Sequence, residues 1–389
     1  MEISIFKKNE IYFDLFKNQE IYTFKNILKN EIYGNFKDLD KTKERLDSLD
    51  KNAERSRRAA AKYLNEYELV KIICKKQVIS RAYFKLYEII YFEPVVTAES
   101  CDCFFICDAP GGFIECINDI RRKKNLRTKY ISISNGVDGI YYGNYLEEFN
   151  LLYGDITEIN VLNKTIETVL TRFPNGLNLI TADGGFDVKV FKFQEIITSK
   201  LLLCEIYLAL ATQKTGGTFV IKFFDMFTHN SIIYYIILCS FYNYVKIIKP
   251  KTSRNCNSER YVVCYNFKGK DDHFINDIYK IIMDFKENIV VYPNFDFNPF
   301  PHFAKKLSIF NNLVLYEQIK TINESIKMVN TKDTYFQNLI LKIFIKNKNP
   351  EVNKLYNILI YKNILASRIK KCIDFLRMYN ININQLRLN

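Results

Sequence analysis

The chain has 389 residues, 48% of them hydrophobic and 25% charged, enough for one large domain with extensions or for two modest domains. This composition excludes a disulfide miniprotein, a collagen-like repeat and a wholly disordered chain. The net charge of +13, nearly all of it beyond residue 70, favours a polyanionic partner, although biased codon usage gives a lysine-, asparagine- and isoleucine-rich chain the same balance.

Residues 1–37 carry a loose repeat, NEIY at 9–12, QEIY at 19–22 and NEIY at 30–33. Three short copies do not make a solenoid, so the segment reads as an irregular extension packed on the main domain. Residues 38–62 are charge-dense and free of Gly and Pro, which predicts an exposed helix leading to a basic cluster at Arg55, Arg57 and Arg58.

From about 70 to 267, apolar runs of strand length at 104–107, 130–133, 177–182, 218–223, 245–248 and 261–265 alternate with helical stretches. The pattern predicts an α/β, Rossmann-like, mostly parallel sheet covered on both faces. A Pro/Ser/Asn-rich loop without a helix joins the last two runs, so they pair antiparallel at one edge. Beyond 268, Ile309, Leu313, Tyr316, Ile319, Ile322, Ile326 and Val329 follow a helical spacing, as does 355–376, with Pro350 separating two helices. The expected division is 1–62, an N-terminal extension, partly helical; 63–270, the α/β domain; and 271–389, a mostly helical region.

The ten cysteines form no CxxC pair, and Cys101, Cys103 and Cys107 have no nearby His, so neither zinc nor any other metal is expected. Cys74, Cys107, Cys204, Cys239 and Cys264 lie in apolar runs and read as small buried thiols. The longest apolar stretch, 232–245, is broken by Ser240 and Asn243 and too short to span a bilayer. No apolar segment follows a basic start. The expectation is a soluble, reduced, intracellular chain, with cytoplasm favoured over the nucleus or the virion of a cytoplasmic virus.

Five motifs stand out. FFICDAPGGFIE at 104–115 ends a strand in glycines and enters a helix, which lets backbone approach a nucleotide-like ligand at the carboxyl edge of the sheet. SRAYFKL at 80–86 places Lys85 on a helix. TADGG at 181–185 puts Asp183 at the end of an apolar strand, where either an active-site acid or a helix cap belongs. In GGTFVIKFFD at 216–225, Lys222 interrupts an apolar strand, costly unless paired or functional. TSRNCNSERYVVC at 252–264 opens the last strand with Glu259.

Each motif alone admits a structural explanation. Together and in this order, Lys85, Asp183, Lys222 and Glu259 resemble the Lys-Asp-Lys-Glu tetrad of the RrmJ/FtsJ-type S-adenosylmethionine-dependent RNA 2′-O-methyltransferases. The runs 197–228 and 249–264 look most like the cap-specific mRNA enzymes of eukaryotes and large DNA viruses. The resemblance covers about residues 60–330 and implies a seven-stranded methyltransferase fold. It further implies that Ser80, the loop of Asp108, Ala109, Pro110, Gly111, Gly112, Phe113 and Glu115, and the turn at Asp155 and Ile156 hold S-adenosylmethionine. Where many relatives carry an acid, this chain has Phe105, and Asp108 is expected to supply the charge.

The same resemblance gives Lys222 the role of base for the 2′-hydroxyl, with Lys85 and Glu259 steering and Asp183 orienting. A lysine titrates near ~10.4, so burial and the like charge of Lys85 are expected to lower Lys222 against the opposing carboxylates. Arg57, Arg58, Lys62, Lys192, Arg254, Asn257 and Ser258 are the candidates for RNA or cap contact, and Lys189, Phe191 and Phe193 lie beside them as a stacking surface or surface filler. Capped mRNA is the expected partner, with other capping or transcription proteins alongside. A ribosomal or transfer RNA substrate, or a non-catalytic RNA-binding subunit of the same fold, are the alternatives; a nicotinamide-dependent dehydrogenase lacks its GxGxxG.

Overall fold

The computed structural model describes residues 2–4, 20–22, 34–49, 51–135, 150–186, 188, 190–285, 289–291, 301–330 and 363–383. Most of the NEIY repeat, Lys189 and Pro350 lie outside them. The strands are β1 (Glu2–Ser4), β2 (Glu20–Tyr22), β3 (Asp102–Ile106), β4 (Lys129–Ser134), β5 (Leu151–Tyr153), β6 (Leu177–Ala182), β7 (Gln213–Phe224), β8 (Tyr242–Ile248), β9 (Glu259–Phe267) and β10 (Ile289–Val291). The main sheet runs β1-β8-β9-β7-β6-β3-β4-β5. Strands β5, β4, β3, β6 and β7 pair in parallel, and β9 and β8 pair antiparallel beyond them, as the helix-free loop between them requires. The seven expected strands are present, and β1 adds an eighth, antiparallel to β8.

The helices are α1 (Phe36–Asp47), α2 (Lys51–Leu64), α3 (Val70–Ile73), α4 (Ala82–Ile90), α5 (Gly112–Arg122), α6 (Ile159–Arg172), α7 (Gln194–Ile197), α8 (Ser199–Thr212), α9 (His229–Phe241), α10 (Asp272–Asp284), α11 (Pro301–Asn330) and α12 (Asn363–Met378). Two apolar cores cover the sheet. Phe104, Ile106, Ile180, Phe219, Ile221 and Val262 face α8 and α9, whereas Cys103, Phe105, Leu179, Val220 and Val263 face α4 and α5. That split is the two-residue side-chain period of a strand buried on both sides.

The flanks depart from their sequence reading in two ways. Residues 38–62 form not one exposed helix but most of two, and they bury charge: Lys43 pairs with Asp225 at 2.6 Å, both side chains 2% exposed. A charge-dense segment hides such a pair because its partner lies 182 residues away. In α11 the apolar spacing is helical as expected, but Ile309, Leu313 and Tyr316 are exposed while Leu307, Phe310, Leu315, Ile322 and Ile326 are buried. The packed stripe is therefore offset from the one read in the sequence in the first half of α11 and coincides with it at Ile322 and Ile326.

Candidate active site

Strand parity assembles the site. Lys222 shares a face of β7 with Val220, Glu259 shares a face of β9 with Tyr261 and Val263, and Asp183 follows Leu179 and Thr181 past the end of β6. All three faces look toward α4, which carries Lys85 on the partly open side of an otherwise buried helix. Register does the rest, setting Lys222 opposite Tyr261 and Phe224 opposite Glu259. The four side chains thus meet at the carboxyl ends of the parallel strands, where the chain turns to either side of β3 and a crevice opens.

Lys222 Nζ lies 3.1 Å from Asp183 Oδ1 and donates to the Asp183 carbonyl at 2.6 Å. Lys85 Nζ donates to Glu259 Oε2 at 2.8 Å, and Ser253 Oγ donates to Glu259 Oε1 at 2.7 Å. Burial alone would raise the Glu259 carboxyl, but Lys85, Lys249 and Lys222 overcome it and hold Glu259 well below the usual carboxylate range. Burial also presses Lys222 downward, yet Asp183, Glu259 and Glu205 outweigh it, and its ammonium titrates above the ordinary lysine value. The expected lowering is therefore reversed: Lys85 is neutralised by Glu259, so the like charge that was to depress Lys222 is largely cancelled.

Two further side chains belong to this cluster. Tyr261 donates its hydroxyl to Asp183 Oδ1 at 2.8 Å, and burial with Asp183 and Glu259 nearby keeps that phenol protonated. Lys249 donates to the carbonyls of Asn257 and Glu259 at 2.7 and 2.6 Å and so closes the loop that delivers Glu259; burial lowers it to about 8. Tyr261 was findable, since it stands two residues past Glu259 on a strand and must share its face.

Beside the tetrad a cleft of about 640 Å³ is lined by Cys107, Ala109, Ser134, Asn135, Gly154, Asp155, Ile156, Asp183, Gly185, Phe186, Leu201, Lys222 and Phe224. Of the residues expected to hold a cofactor, Ala109, Asp155 and Ile156 line it. The other seven do not, each because it is used within the fold. Both Asp108 oxygens accept from the Phe113 and Ile114 amides at 2.9 and 2.8 Å, capping α5, and burial raises this carboxyl well above its ordinary value. It supplies no charge to the cleft. Glu115 accepts from the Ile79 amide at 2.8 Å and pairs with Lys76 at 3.0 Å. Ser80 Oγ accepts from the Ala82 amide and packs so closely on Gly112 that a Cβ there would lie 2.2 Å from it. Phe113 is fully buried against Tyr261. Pro110, Gly111 and Gly112 form the turn into α5, with Gly111 at φ +104, a conformation that favours glycine. The walls not foreseen include Leu201, Phe224, Cys107, which is only half-buried rather than a buried thiol, and Ser134 and Asn135, which follow the rule that ligands meet the carboxyl ends of strands.

Seven residues were candidates for RNA or cap contact. Arg57, Asn257 and Ser258 converge on a second cavity of about 160 Å³, with Lys43, Leu46, Phe191, Gln194, Phe224, Cys256, Gln318 and Ile322. Phe224 lines both cavities. Arg57 is held by Glu54 through two bonds of 2.7 Å. Arg58, Lys62, Lys192 and Arg254 do not line the cavity: Arg58 bonds Glu54, Lys192 bonds Glu44 at 2.6 Å, and Arg254 grips Glu68 at 3.0 and 2.7 Å. Burial and the nearby Arg254 lower Lys62.

Fold and site together define an α/β domain with a ligand-sized cleft at the carboxyl ends of its parallel strands. Residues 78–267 match the FtsJ-like methyltransferase family, and this stretch of the chain is an FtsJ-like methyltransferase domain. The chain is 36% identical over 199 residues to a Mus musculus protein named cap-specific mRNA (nucleoside-2′-O-)-methyltransferase 1, covering 46% of this chain and 23% of the relative. It is 29% identical over 226 residues to the Mus musculus protein named cap-specific mRNA (nucleoside-2′-O-)-methyltransferase 2, covering 52% and 29%. The matches therefore span less than a third of those relatives' lengths. A solved Plasmodium falciparum structure titled as a ribosomal RNA methyltransferase is similar at 21% identity and a TM-score of 0.39, covering 49% of this chain and 99% of its own.

The methyl donor of this family is S-adenosylmethionine, and the cleft fits it. Asp155 receives the Thr157 amide and hydroxyl on Oδ1, which among the described residues leaves Oδ2 available to a donor such as an amino group or ribose hydroxyl. Ile156, Leu201 and Phe186 give apolar wall, and the Asp183 and Asp155 carboxylates suit a cationic ligand. Among the described residues, no group of three or more His, Cys, Asp or Glu could hold a metal ion. No described helix is long and apolar enough to cross a membrane.

Proposed function

We propose that this chain methylates a ribose 2′-hydroxyl of RNA, at the first transcribed nucleotide of capped mRNA. The observation that carries the chemistry is the closed tetrad, two lysines each locked to a carboxylate at one end of the sheet. S-adenosylmethionine, when bound, supplies an electrophilic methyl group. Lys222 receives the proton that the 2′-oxygen gives up as its new bond forms. Asp183 and the Tyr261 hydroxyl fix where the Lys222 amine points, and Lys85, steadied by Glu259, donates to the ribose oxygen. Holding the two reactants in line supplies much of the remaining acceleration. Since Lys222 is protonated at rest, turnover rises as the solution becomes more alkaline.

The second cavity supports the cap reading. Phe191 offers a ring for a base to stack on, and Gln318 Oε1 is buried without a hydrogen-bond partner among the described residues. A lone buried acceptor suits the N–H edge of a guanine. The test compares capped and uncapped RNA of one sequence in a methyl-transfer assay. Capped RNA should react far better, and Phe191→Ala or Gln318→Ala should raise KM for capped RNA alone. Equal rates on both RNAs would instead mean a ribosomal or transfer RNA substrate.

A further inference from the structure

Glu205 is a buried carboxyl that the tetrad does not use. It sits on α8, on the side of the sheet opposite α4, and is 1% exposed. Its Oε1 accepts the Gly184 amide at 3.0 Å, directly after Asp183 in the chain. A void of about 10 Å³ separates it from Lys222, walled by Gly184, Thr198, Leu201, Leu202 and Phe224. That is room for about one water molecule. A Cβ added at Gly184 would lie 2.3 Å from Glu205 Oε1, so the carboxyl is seated tightly under the loop.

We propose that Glu205 is a positioning residue of the active site, fixing Asp183 through the Gly184 amide and setting the proton affinity of Lys222 across the void. The proposal rests on the methyltransferase reading. The groups facing Glu205 are Lys222, Asp183 on the loop after β6, the Cys107 thiol after β3, and Cys204 on its own helix. Lys222 in turn faces Asp183 and Glu259. Among these, Lys222 and the Gly184 amide favour the charged carboxylate, whereas burial and Asp183 oppose it; burial wins and raises Glu205 to about 8. At neutral pH the group is a neutral acid that adds no negative charge beside Lys222. Above that range it ionises and binds the Lys222 proton more tightly. Because coupling between two titrating sites is reciprocal, removing the Lys222 charge must raise Glu205 by the same interaction.

Two measurements on the full chain test this. The first is kcat for methyl transfer, from neutral to alkaline pH, in the wild type, Glu205→Gln and Glu205→Ala. Glu205→Ala loses the Gly184 contact and about tenfold in kcat, the scale of one buried hydrogen bond. Glu205→Gln restores kcat at neutral pH, and its alkaline limb begins about one pH unit lower because it cannot ionise. The second is infrared titration of the protonated carboxyl stretch that Glu205→Gln abolishes. Its midpoint should move up by about one unit in Lys222→Met. This readout needs no turnover, so it stands even where the wild type transfers no methyl, and Glu205→Gln preserves shape where Glu205→Ala does not fold. An unmoved limb in Glu205→Gln together with an unmoved midpoint in Lys222→Met overturns the proposal.

Discussion

Glu259→Gln isolates the electrostatic centre of the site. The substitution keeps shape and leaves an oxygen for the Ser253 hydroxyl, but removes the negative charge that faces Lys85, Lys249 and Lys222. The side chains of Glu259 and Lys85 are 7% and 16% exposed, so little solvent screens the loss. Breaking a buried pair of this kind costs about 3–5 kcal/mol. In a domain of this size that lowers Tm by about 6 °C or more. The pH sign follows from the direction of the shift. A carboxyl held low when folded stabilises the fold fully above its unfolded value, ~4.3, and loses that stabilisation as pH falls through the folded one. The stability gap between wild type and variant should therefore be constant from about pH 7.5 to 5 and narrow only in acid. Thermal unfolding with circular dichroism at several pH values reads it. A variant as stable as wild type at neutral pH would refute the view that Glu259 holds three cations together.

Other predictions test the remaining parts. Lys222→Met should cut methyl transfer by about 10²-fold or more, as expected for losing a general base, while calorimetry still finds donor binding; unchanged turnover would remove Lys222 as the base. Tyr261→Phe deletes the hydrogen bond to Asp183 and should lower kcat about tenfold, with thermal stability nearly unchanged. Asp155→Asn should weaken the affinity for S-adenosylmethionine about tenfold and leave KM for RNA unaltered, and an equal effect on both would place Asp155 elsewhere in the cycle. Wild-type turnover should rise toward alkaline pH because Lys222 is held above the ordinary lysine range; a rate falling from neutral to alkaline pH contradicts that.

The sheet and the tetrad were legible because both obey short periods. Alternate residues of β6, β7 and β9 face one way, and a charged residue in an apolar strand, such as Lys222, stands out against its neighbours. The cleft was half legible. Asp108, Glu115 and Ser80 carry the polar atoms a ligand needs, yet those atoms satisfy the start of α5 and the segment before α4, a competition that sequence does not reveal. The second cavity was least legible. Lys43 and Gln318 reach Ser258 from α1 and α11, 215 and 60 residues away, and only tertiary packing brings them together. Lys222's proton affinity failed for a related reason: its sign depends on which neighbour neutralises Lys85.

The central claim is that the tetrad methylates a 2′-oxygen next to a cap. The most direct test incubates the full chain with methyl-labelled S-adenosylmethionine and a capped transcript, then digests the RNA and locates the label. The account predicts a single labelled position, the ribose 2′-oxygen of the first transcribed nucleotide, absent with Lys222→Met. Label on a base, or at internal riboses regardless of the cap, would contradict it.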